Sequence, residues 1–587
     1  METFKGACVT RSIPPPAHHL FKWQQLLYVL LSLLCLREQS QLIAGEKPIE
    51  PRFPVYVSYL AEGCSYDLDR ARDLLWSDVA FGSDSPMLIE FGDSDFTELS
   101  DTRCPGTPAL NVDMTAKVFT PVTPSYSPRR AFPLVLIVHG QQSDWNVPGF
   151  EGYDYLAYGL TRQGYVVASL DFRSMMDSTI KSRGELIREH LRRFVQRNAR
   201  GSGSYLEGKL DLSSVVLIGH SRGGDAITAA WEWQRVSPDA GYSIAALVAI
   251  APVQFFGVLD EEPSITTHLR DVAYQIIQGS KDGDVSDFQG LRTYDRTSDP
   301  ADAGDSLKSM VFIRNANHNF FNSVWEEEAG DDFCCEGVLD GETQRALAMS
   351  YIYAFLEAAL YGEPGHLALL EDAALNPIEE TEVALDLQLP AQDVLQLDHY
   401  QLNQLGGSNT ALSSSGGISE VQPLNVQPQW IERQLSTAAL PPWNSYVGDT
   451  GAASVSWKGD LQYTSWLSST VRQQQNPSIY PYLSFRIAEL ARNALQTEDS
   501  QHLLREVSIR VIDQQGQISA PLSMMEQLVL TLDWQGISSG PKTMMTHARI
   551  PLSDFSGVDV SRLAGIELSL SLAWDGQVVL DELRLTP

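Results

Sequence analysis

The chain has 587 residues, more than one hydrophobic core usually holds, so we expect at least two folded domains. Hydrophobic residues make up 43% and charged residues 20% of the chain, a composition typical of globular proteins and not of disordered ones. The net charge of −32 disfavours nucleic acid as a partner, because its phosphate groups would be repelled.

The N-terminal segment combines basic residues with a short apolar run, LLYVLLSLLCL, at residues 26–36. This run is too short to span a bilayer comfortably as a helix, and it is typical of a signal peptide. We predict that residues 1–50 form a signal peptide or N-terminal anchor with a linker, cleaved near Ala44 if cleaved at all. The protein would then be periplasmic, at the cell surface or secreted, and an uncleaved signal would leave it anchored to the membrane.

The six cysteines do not show the spacing of a zinc site. Cys64 and Cys104 could form a disulfide in an exported protein. The adjacent Cys334 and Cys335 have poor geometry for a mutual bridge, although either could pair elsewhere.

Strand-like and helix-like patterns alternate from residue 133 onwards. Buried-strand patterns occur in PLVLIVHG, YVVASLDF, VVLIGH, IAALVAIAPV, YQIIQGS and SMVFIRNA, and an earlier strand-like run, MTAKVFTPV, lies in the otherwise irregular region 51–130. Such alternation predicts a mostly parallel sheet with helices on both faces. We expect this α/β domain to span residues 51–362, closed by the helix TQRALAMSYIYAFLEAALYG.

An acidic connector is predicted at residues 363–391. The remaining residues, 392–587, contain short alternating strands such as VSIRVIDQQG, ARIPLSDF and QVVLDELRL between turn residues. This pattern predicts a separate all-β sandwich domain.

The sequence GHSRG at residues 219–223 lies between a strand pattern and a helix pattern. This is the G-x-S-x-G arrangement, in which a strained turn exposes a serine hydroxyl at the carboxyl edge of a parallel sheet. We predict that Ser221 is a nucleophile and that Gly219, His220 and Gly223 form its elbow. An ordinary turn serine is the alternative.

A nucleophilic serine needs a base, and the base needs an acid that orients it. In this arrangement the chain order is serine, acid, histidine. Asp282 follows the strand YQIIQG and His318 follows the strand SMVFIRNA, so both should lie at the sheet edge that carries Ser221. We predict Asp282 as the acid, with Asp284 as the alternative, and His318 as the general base.

The tetrahedral oxyanion would be stabilised by backbone N–H groups of Arg222 and Gln141, with Gln142 as an alternative to Gln141. Three aromatic side chains could line an apolar acyl or alcohol pocket, or could equally well be ordinary packing residues: Trp145, Phe320 and Phe321.

Residues 111–362 resemble the α/β-hydrolase superfamily of serine esterases. The likeness rests on HG after a buried strand, GHSRGG at the elbow, GSKDGDV for the acid and NANHNFF for the histidine. GHSRGG is similar to the elbows of chlorophyllases, polyester hydrolases and platelet-activating-factor acetylhydrolases. The resemblance implies a Ser-His-Asp enzyme with no metal and no organic cofactor, and it leaves the substrate open. The acidic insert EEEAGDDFCCEGVLDGE after His318 departs from the family pattern.

The C-terminal part resembles galactose-binding-like jelly rolls, which often bind carbohydrate. Many such modules only pack against a partner domain, so a carbohydrate or surface ligand for the C-terminal domain stays an open alternative. Taken together, these features predict an exported serine hydrolase that cleaves small or polymeric carboxylic esters through an acyl-enzyme. A peptidase or amidase with the same triad is one alternative. A non-catalytic binding protein on a hydrolase scaffold is another.

Overall fold

The structure, a computed structural model, describes residues 55–67, 111–121, 131–142, 144, 146–175, 178–236, 238–254, 269–286, 288–297, 306–327, 337–378, 380–398, 410–412, 418–422, 427–431, 452–457, 465–470, 479–489, 507–523, 545–570 and 576–587. The predicted export segment, Cys104, Cys334 and Cys335 lie outside these ranges. Within them, no helix combines the length and the apolar character needed to cross a membrane.

The first sheet contains nine described strands in the order β1-β2-β4-β3-β5-β6-β7-β8-β9. Strands β3 to β8 run parallel to one another, whereas β1, β2 and β9 pair antiparallel with their neighbours. The bounds of these strands are Val55–Asp67 (β1), Asn111–Pro121 (β2), Phe132–Val138 (β3), Val166–Leu170 (β4), Leu210–His220 (β5), Ile244–Ile250 (β6), Ala273–Gly279 (β7), Lys308–Ile313 (β8) and Val383–Gln388 (β9).

Helices cover both faces of this sheet. Their bounds are Asp154–Arg162 (α1), Ile180–Asn198 (α2), Arg222–Val236 (α3), Gly290–Thr297 (α4), Gly341–Tyr361 (α5) and Pro364–Glu371 (α6). Apolar residues of α2 and α3 share one hydrophobic core with alternate residues of β3 and β5, and those of α1 and α5 share a second core with the intervening residues. Because both faces are buried, the strands read as continuous apolar runs. The predicted α/β architecture is confirmed at this level.

The structure places regular elements in two regions for which the sequence predicted none. Strand β1 lies in the region expected to be irregular, and helix α6 and strand β9 lie within the predicted connector 363–391. Strand β9 pairs with β8 along its whole length. The VALDLQ pattern is short and lies among acidic residues, so the sequence alone gives only a weak strand signal. The segment becomes a strand because it pairs with the edge of β8.

The C-terminal region forms two antiparallel sheets. One has the order β13-β14-β21-β16-β19 with β10 beside β21, and the other has the order β11-β12-β15-β20-β17-β18. Leu483, Phe485 and Leu585 of the first sheet share a core with Val511 and Ile566 of the second, so the predicted all-β part is confirmed. The strand bounds are Leu395–Asp398 (β10), Thr410–Leu412 (β11), Ile418–Gln422 (β12), Gln427–Ile431 (β13), Ala452–Trp457 (β14), Ser465–Thr470 (β15), Tyr482–Glu489 (β16), Val507–Asp513 (β17), Leu522–Ser523 (β18), Thr546–Pro551 (β19), Leu563–Leu570 (β20) and Gly576–Thr586 (β21).

A buried ionic cluster joins the α/β part to the C-terminal sheets. Arg486 of β16 donates hydrogen bonds to Asp386 of β9 at 2.7 Å and to Asp295 of α4 at 2.9 Å. Arg584 of β21 donates a hydrogen bond to the carbonyl of Leu387 at 2.9 Å. Because the carboxylates are buried, the arginine is needed to offset the cost of removing them from water.

Candidate active site

The site lies where the strand order of the parallel sheet reverses. Strand β3 has β4 on one side and β5 on the other, so the connections after β3 and β5 diverge and leave a crevice at their carboxyl ends. Ligands bind at this kind of point in open α/β sheets. The residues that follow β3 and β5 are His139, Gly140 and Ser221.

Ser221 occupies a sharp turn between β5 and α3. Its φ of 55° is in the left-handed region, which non-glycine residues seldom adopt. The turn is held by two backbone hydrogen bonds: the Ser221 N–H donates to the Ile250 carbonyl at 2.9 Å, and the Ser221 carbonyl accepts from the Gly224 N–H at 2.9 Å. Strain of about 1–3 kcal/mol at one residue persists only where its surroundings enforce it, and such residues cluster at functional sites.

Close backbone contacts explain the glycines around this serine. A Cβ added to Gly219 would lie 2.2 Å from the Gly223 carbonyl oxygen, and one added to Gly223 would lie 2.2 Å from the Val138 carbonyl oxygen. A Cβ added to Gly140 would lie 3.2 Å from the Oγ of Ser221. The loop after β3 therefore runs directly beside the serine hydroxyl.

The predicted acid and base are in contact. His318 Nδ1 lies 3.0 Å from Oδ2 of Asp282, and both side chains are buried. Among the described residues, Asp282 also accepts hydrogen bonds from Nε2 of Gln278 at 2.8 Å and from the backbone N–H groups of Asp284 at 3.1 Å and Val285 at 2.7 Å. So held, the carboxylate can favour the tautomer of His318 that carries its proton on Nδ1 and presents the lone pair at Nε2.

His318 lies beside the serine elbow. The centroid of its ring is 4.8 Å from that of His220, the residue immediately before Ser221. The alternative acid, Asp284, contacts the same imidazole at the other nitrogen: its Oδ2 lies 3.3 Å from Nε2. The side chain of Asp284 is 44% exposed, whereas that of Asp282 is fully buried.

Gln344 and Gln278 support the pair, and the sequence analysis did not identify either. Gln344 of α5 accepts a hydrogen bond from the N–H of Asn317 at 3.0 Å and donates one to its carbonyl at 2.8 Å. These two bonds hold the backbone immediately before His318. An amide side chain within a helix or strand pattern belongs to no motif, so only the contacts reveal this role.

Two further histidines near the site are buried and neutral. The N–H of Phe172 donates to Nε2 of His139 at 2.9 Å, so its Nδ1 carries the proton and donates to the Gly140 carbonyl at 2.9 Å. Burial, and then the nearby Arg183, lowers the pKa of His139 to about 4. Burial, and then His318, lowers the pKa of His220 well below its usual value.

The two residues predicted to supply oxyanion donors lie close to Ser221. Arg222 follows it directly at the start of α3, and Gln141 follows Gly140 in the loop beside it. The side chain of Gln142, the alternative, is buried and donates to the carbonyls of Asp144 and Val147, which braces the same loop.

The predicted pocket residues differ in their surroundings. Phe321 is fully buried in the core shared with α1 and α5, Phe320 is partly exposed, and Trp145 lies outside the described residues. Trp325, which the sequence analysis did not consider, is buried with its ring centroid 5.1 Å from that of His220.

No protein-family model matches the chain, and a comparison with curated proteins finds no match. The chemistry of the site is therefore inferred from its own residues.

Proposed function

We propose that the protein is a serine hydrolase of the α/β-hydrolase type that cleaves carboxylic esters. Ser221 is the nucleophile, His318 the general base and Asp282 the orienting acid. The observation that carries this proposal is the buried Asp282–His318 hydrogen bond beside a serine whose φ is 55°, at the switch point of a parallel sheet.

In this mechanism Nε2 of His318 takes the hydroxyl proton of Ser221 while Oγ forms a bond to the carbonyl carbon of the ester. Asp282 stabilises the resulting imidazolium, and the N–H groups of Arg222 and Gln141 stabilise the oxyanion. The imidazolium then protonates the departing alkoxide, which leaves an acyl group on Ser221. Water, activated by the same histidine, attacks the acyl-enzyme and releases the acid.

A fluorophosphonate probe tests whether Ser221 is an activated nucleophile. We expect the wild-type protein to be labelled at Ser221 and the Ser221→Ala variant to remain unlabelled. A folded wild-type protein that resists the probe would contradict the proposal and would favour a non-catalytic binding role.

Matched ester and anilide substrates test the bond that is cleaved. We expect p-nitrophenyl esters to be hydrolysed faster than p-nitroanilides of the same acids, because an ester's leaving group needs less protonation. A series of increasing acyl length would then define the acyl preference. Faster hydrolysis of the anilides would favour a peptidase or amidase.

Export of the protein is part of this proposal and rests on residues 1–50. Cell fractionation together with N-terminal sequencing of the mature chain tests it. A product that begins near residue 45 outside the cytoplasm would support a cleaved signal, and a full-length product in the membrane fraction would support an anchor. A full-length cytoplasmic product would contradict export.

A further inference from the structure

The imidazole of His318 contacts two carboxylates. Asp282 lies 3.0 Å from Nδ1, and Asp284 lies 3.3 Å from Nε2. The two acids are brought to the ring by one turn, since the backbone N–H of Asp284 donates to the Oδ1 of Asp282 at 3.1 Å. An orienting acid needs only the contact at Nδ1, so the second contact calls for a separate explanation.

We propose that Asp284 is a positioning residue that acts through His318: it holds the imidazolium form at Nε2 and so sets the pH at which the base becomes free. This inference rests on the proposed function. A carboxylate accepts a hydrogen bond from the Nε2–H of an imidazolium, whereas it cannot bond to the lone pair that Nε2 presents in the neutral ring. The partner of Nε2 therefore depends on protonation.

In the protonated state, the Nε2–H bond to Asp284 leaves no lone pair to receive the proton of Ser221. Loss of that proton breaks the bond, and the Asp284 carboxylate, whose side chain is 44% exposed, can then be solvated by water. Nε2 becomes available to Ser221. Asp282 is fully buried and stays on Nδ1 in both states.

A third titratable side chain packs against the ring besides the two carboxylates. The contacts of the imidazole within the described part of the chain include Asp282, Asp284 and His220. His220 is buried and accepts or donates a hydrogen bond at 2.9 Å with the hydroxyl of Tyr153 through its Nδ1. Because burial keeps it neutral, it adds no negative charge that would hold the imidazolium.

The test compares the pH profile of kcat/KM for a neutral p-nitrophenyl ester in the wild type, Asp284→Asn and Asp554→Asn. In Asp284→Asn, removal of the anion at Nε2 should move the midpoint of the acid limb down by about one pH unit. The kcat/KM of this variant divided by that of the wild type should therefore be about tenfold higher on the acid side of the profile than on the alkaline side. Asp554 is an exposed residue of the C-terminal domain, and its variant makes the same charge change away from the site. The Asp554→Asn profile should overlay the wild type.

A ratio that is the same at every pH would overturn the inference, since a purely structural role lowers activity uniformly. NMR titration of the His318 ring provides a readout that is independent of turnover, and its midpoint should fall by about one unit in Asp284→Asn. An unchanged midpoint would also overturn it. Failure of the wild type to react with a fluorophosphonate would instead overturn the proposed function, so the two failures are distinguishable.

Discussion

Replacement of Asp282 by asparagine changes the charge of the acid while preserving its shape. Oδ1 of Asp282 accepts hydrogen bonds from two backbone N–H groups, and Oδ2 accepts hydrogen bonds from Gln278 and His318. In the Asp282→Asn variant, the amide oxygen takes the place of Oδ1 and keeps the hydrogen bonds from the backbone N–H groups. The new NH₂ group then lies against Gln278 and Nδ1 of His318. The amide of Gln278 can rotate to accept from this group, because its Oε1 has no partner among the described residues.

His318 can accommodate the new NH₂ group only by accepting a hydrogen bond at Nδ1. Its neutral ring then carries the proton on Nε2 and cannot take one from Ser221. We expect kcat to fall by about 10³–10⁴, equivalent to about 4–5.5 kcal/mol of lost transition-state stabilisation. The free energy of unfolding should change by less than about 1.5 kcal/mol, because the hydrogen bonds are exchanged and not lost.

Ester hydrolysis and thermal unfolding, measured on the same preparations, check this prediction. Asp554→Asn serves as the matched control, since it removes one exposed carboxylate in the C-terminal domain. If Asp282→Asn kept its kcat within about tenfold of the wild type while Asp284→Asn lost activity at every pH, Asp284 would be the orienting acid and the assignment of Asp282 would be wrong.

Three further substitutions test the surroundings of the site. Gly140→Ala would place a Cβ 2.6 Å from that of Ser221, so kcat should fall by about 10²–10³ in ester assays, with a loss of about 1–3 kcal/mol in unfolding free energy. Gln344→Leu removes both hydrogen bonds to the backbone before the histidine and should cost about 2 kcal/mol in denaturant unfolding, with a lower kcat. Arg486→Met removes the cation shared by three buried carboxylates, those of Asp295, Asp386 and Asp581, and should cost about 3–5 kcal/mol by the same measurement. Burial raises the pKa of Asp386, but Arg486 outweighs this effect and the pKa falls to about 2. The stabilisation that the charged Asp386 provides is therefore complete above its pKa in the unfolded chain, about 3.9, and is lost as the pH falls toward 2.

For each substitution, one outcome would contradict the expected role of the residue. Unchanged kinetics in Gly140→Ala would show that the loop after β3 is not part of the oxyanion site. A wild-type kcat in Gln344→Leu would mean that the backbone before His318 needs no support from α5. If Arg486→Met left acid unfolding where it is in the wild type, the cluster at the junction would not control stability at low pH.

The local patterns of the sequence predicted the α/β and all-β architecture and proposed the candidate residues. Alternating apolar strands and amphipathic helices predicted a parallel sheet, because a strand buried on both faces is apolar throughout. Short-range spacing predicted an elbow around Ser221. Asp282 and His318 were proposed as its partners because the carboxyl ends of parallel strands meet at one edge of a sheet.

The tertiary structure decided what depends on contacts between distant residues. Asp282 and Asp284 are two positions apart, and only the orientation of the turn and ring shows that one faces Nδ1 and the other Nε2. The support from Gln344 and the completion of the sheet by β9 likewise depend on packing between segments far apart in the chain. The periodicity of a sequence indicates which face of a helix or strand is buried, but not which other element packs against that face. Hydrogen bonds between side chains depend on that packing, so the sequence alone does not predict them.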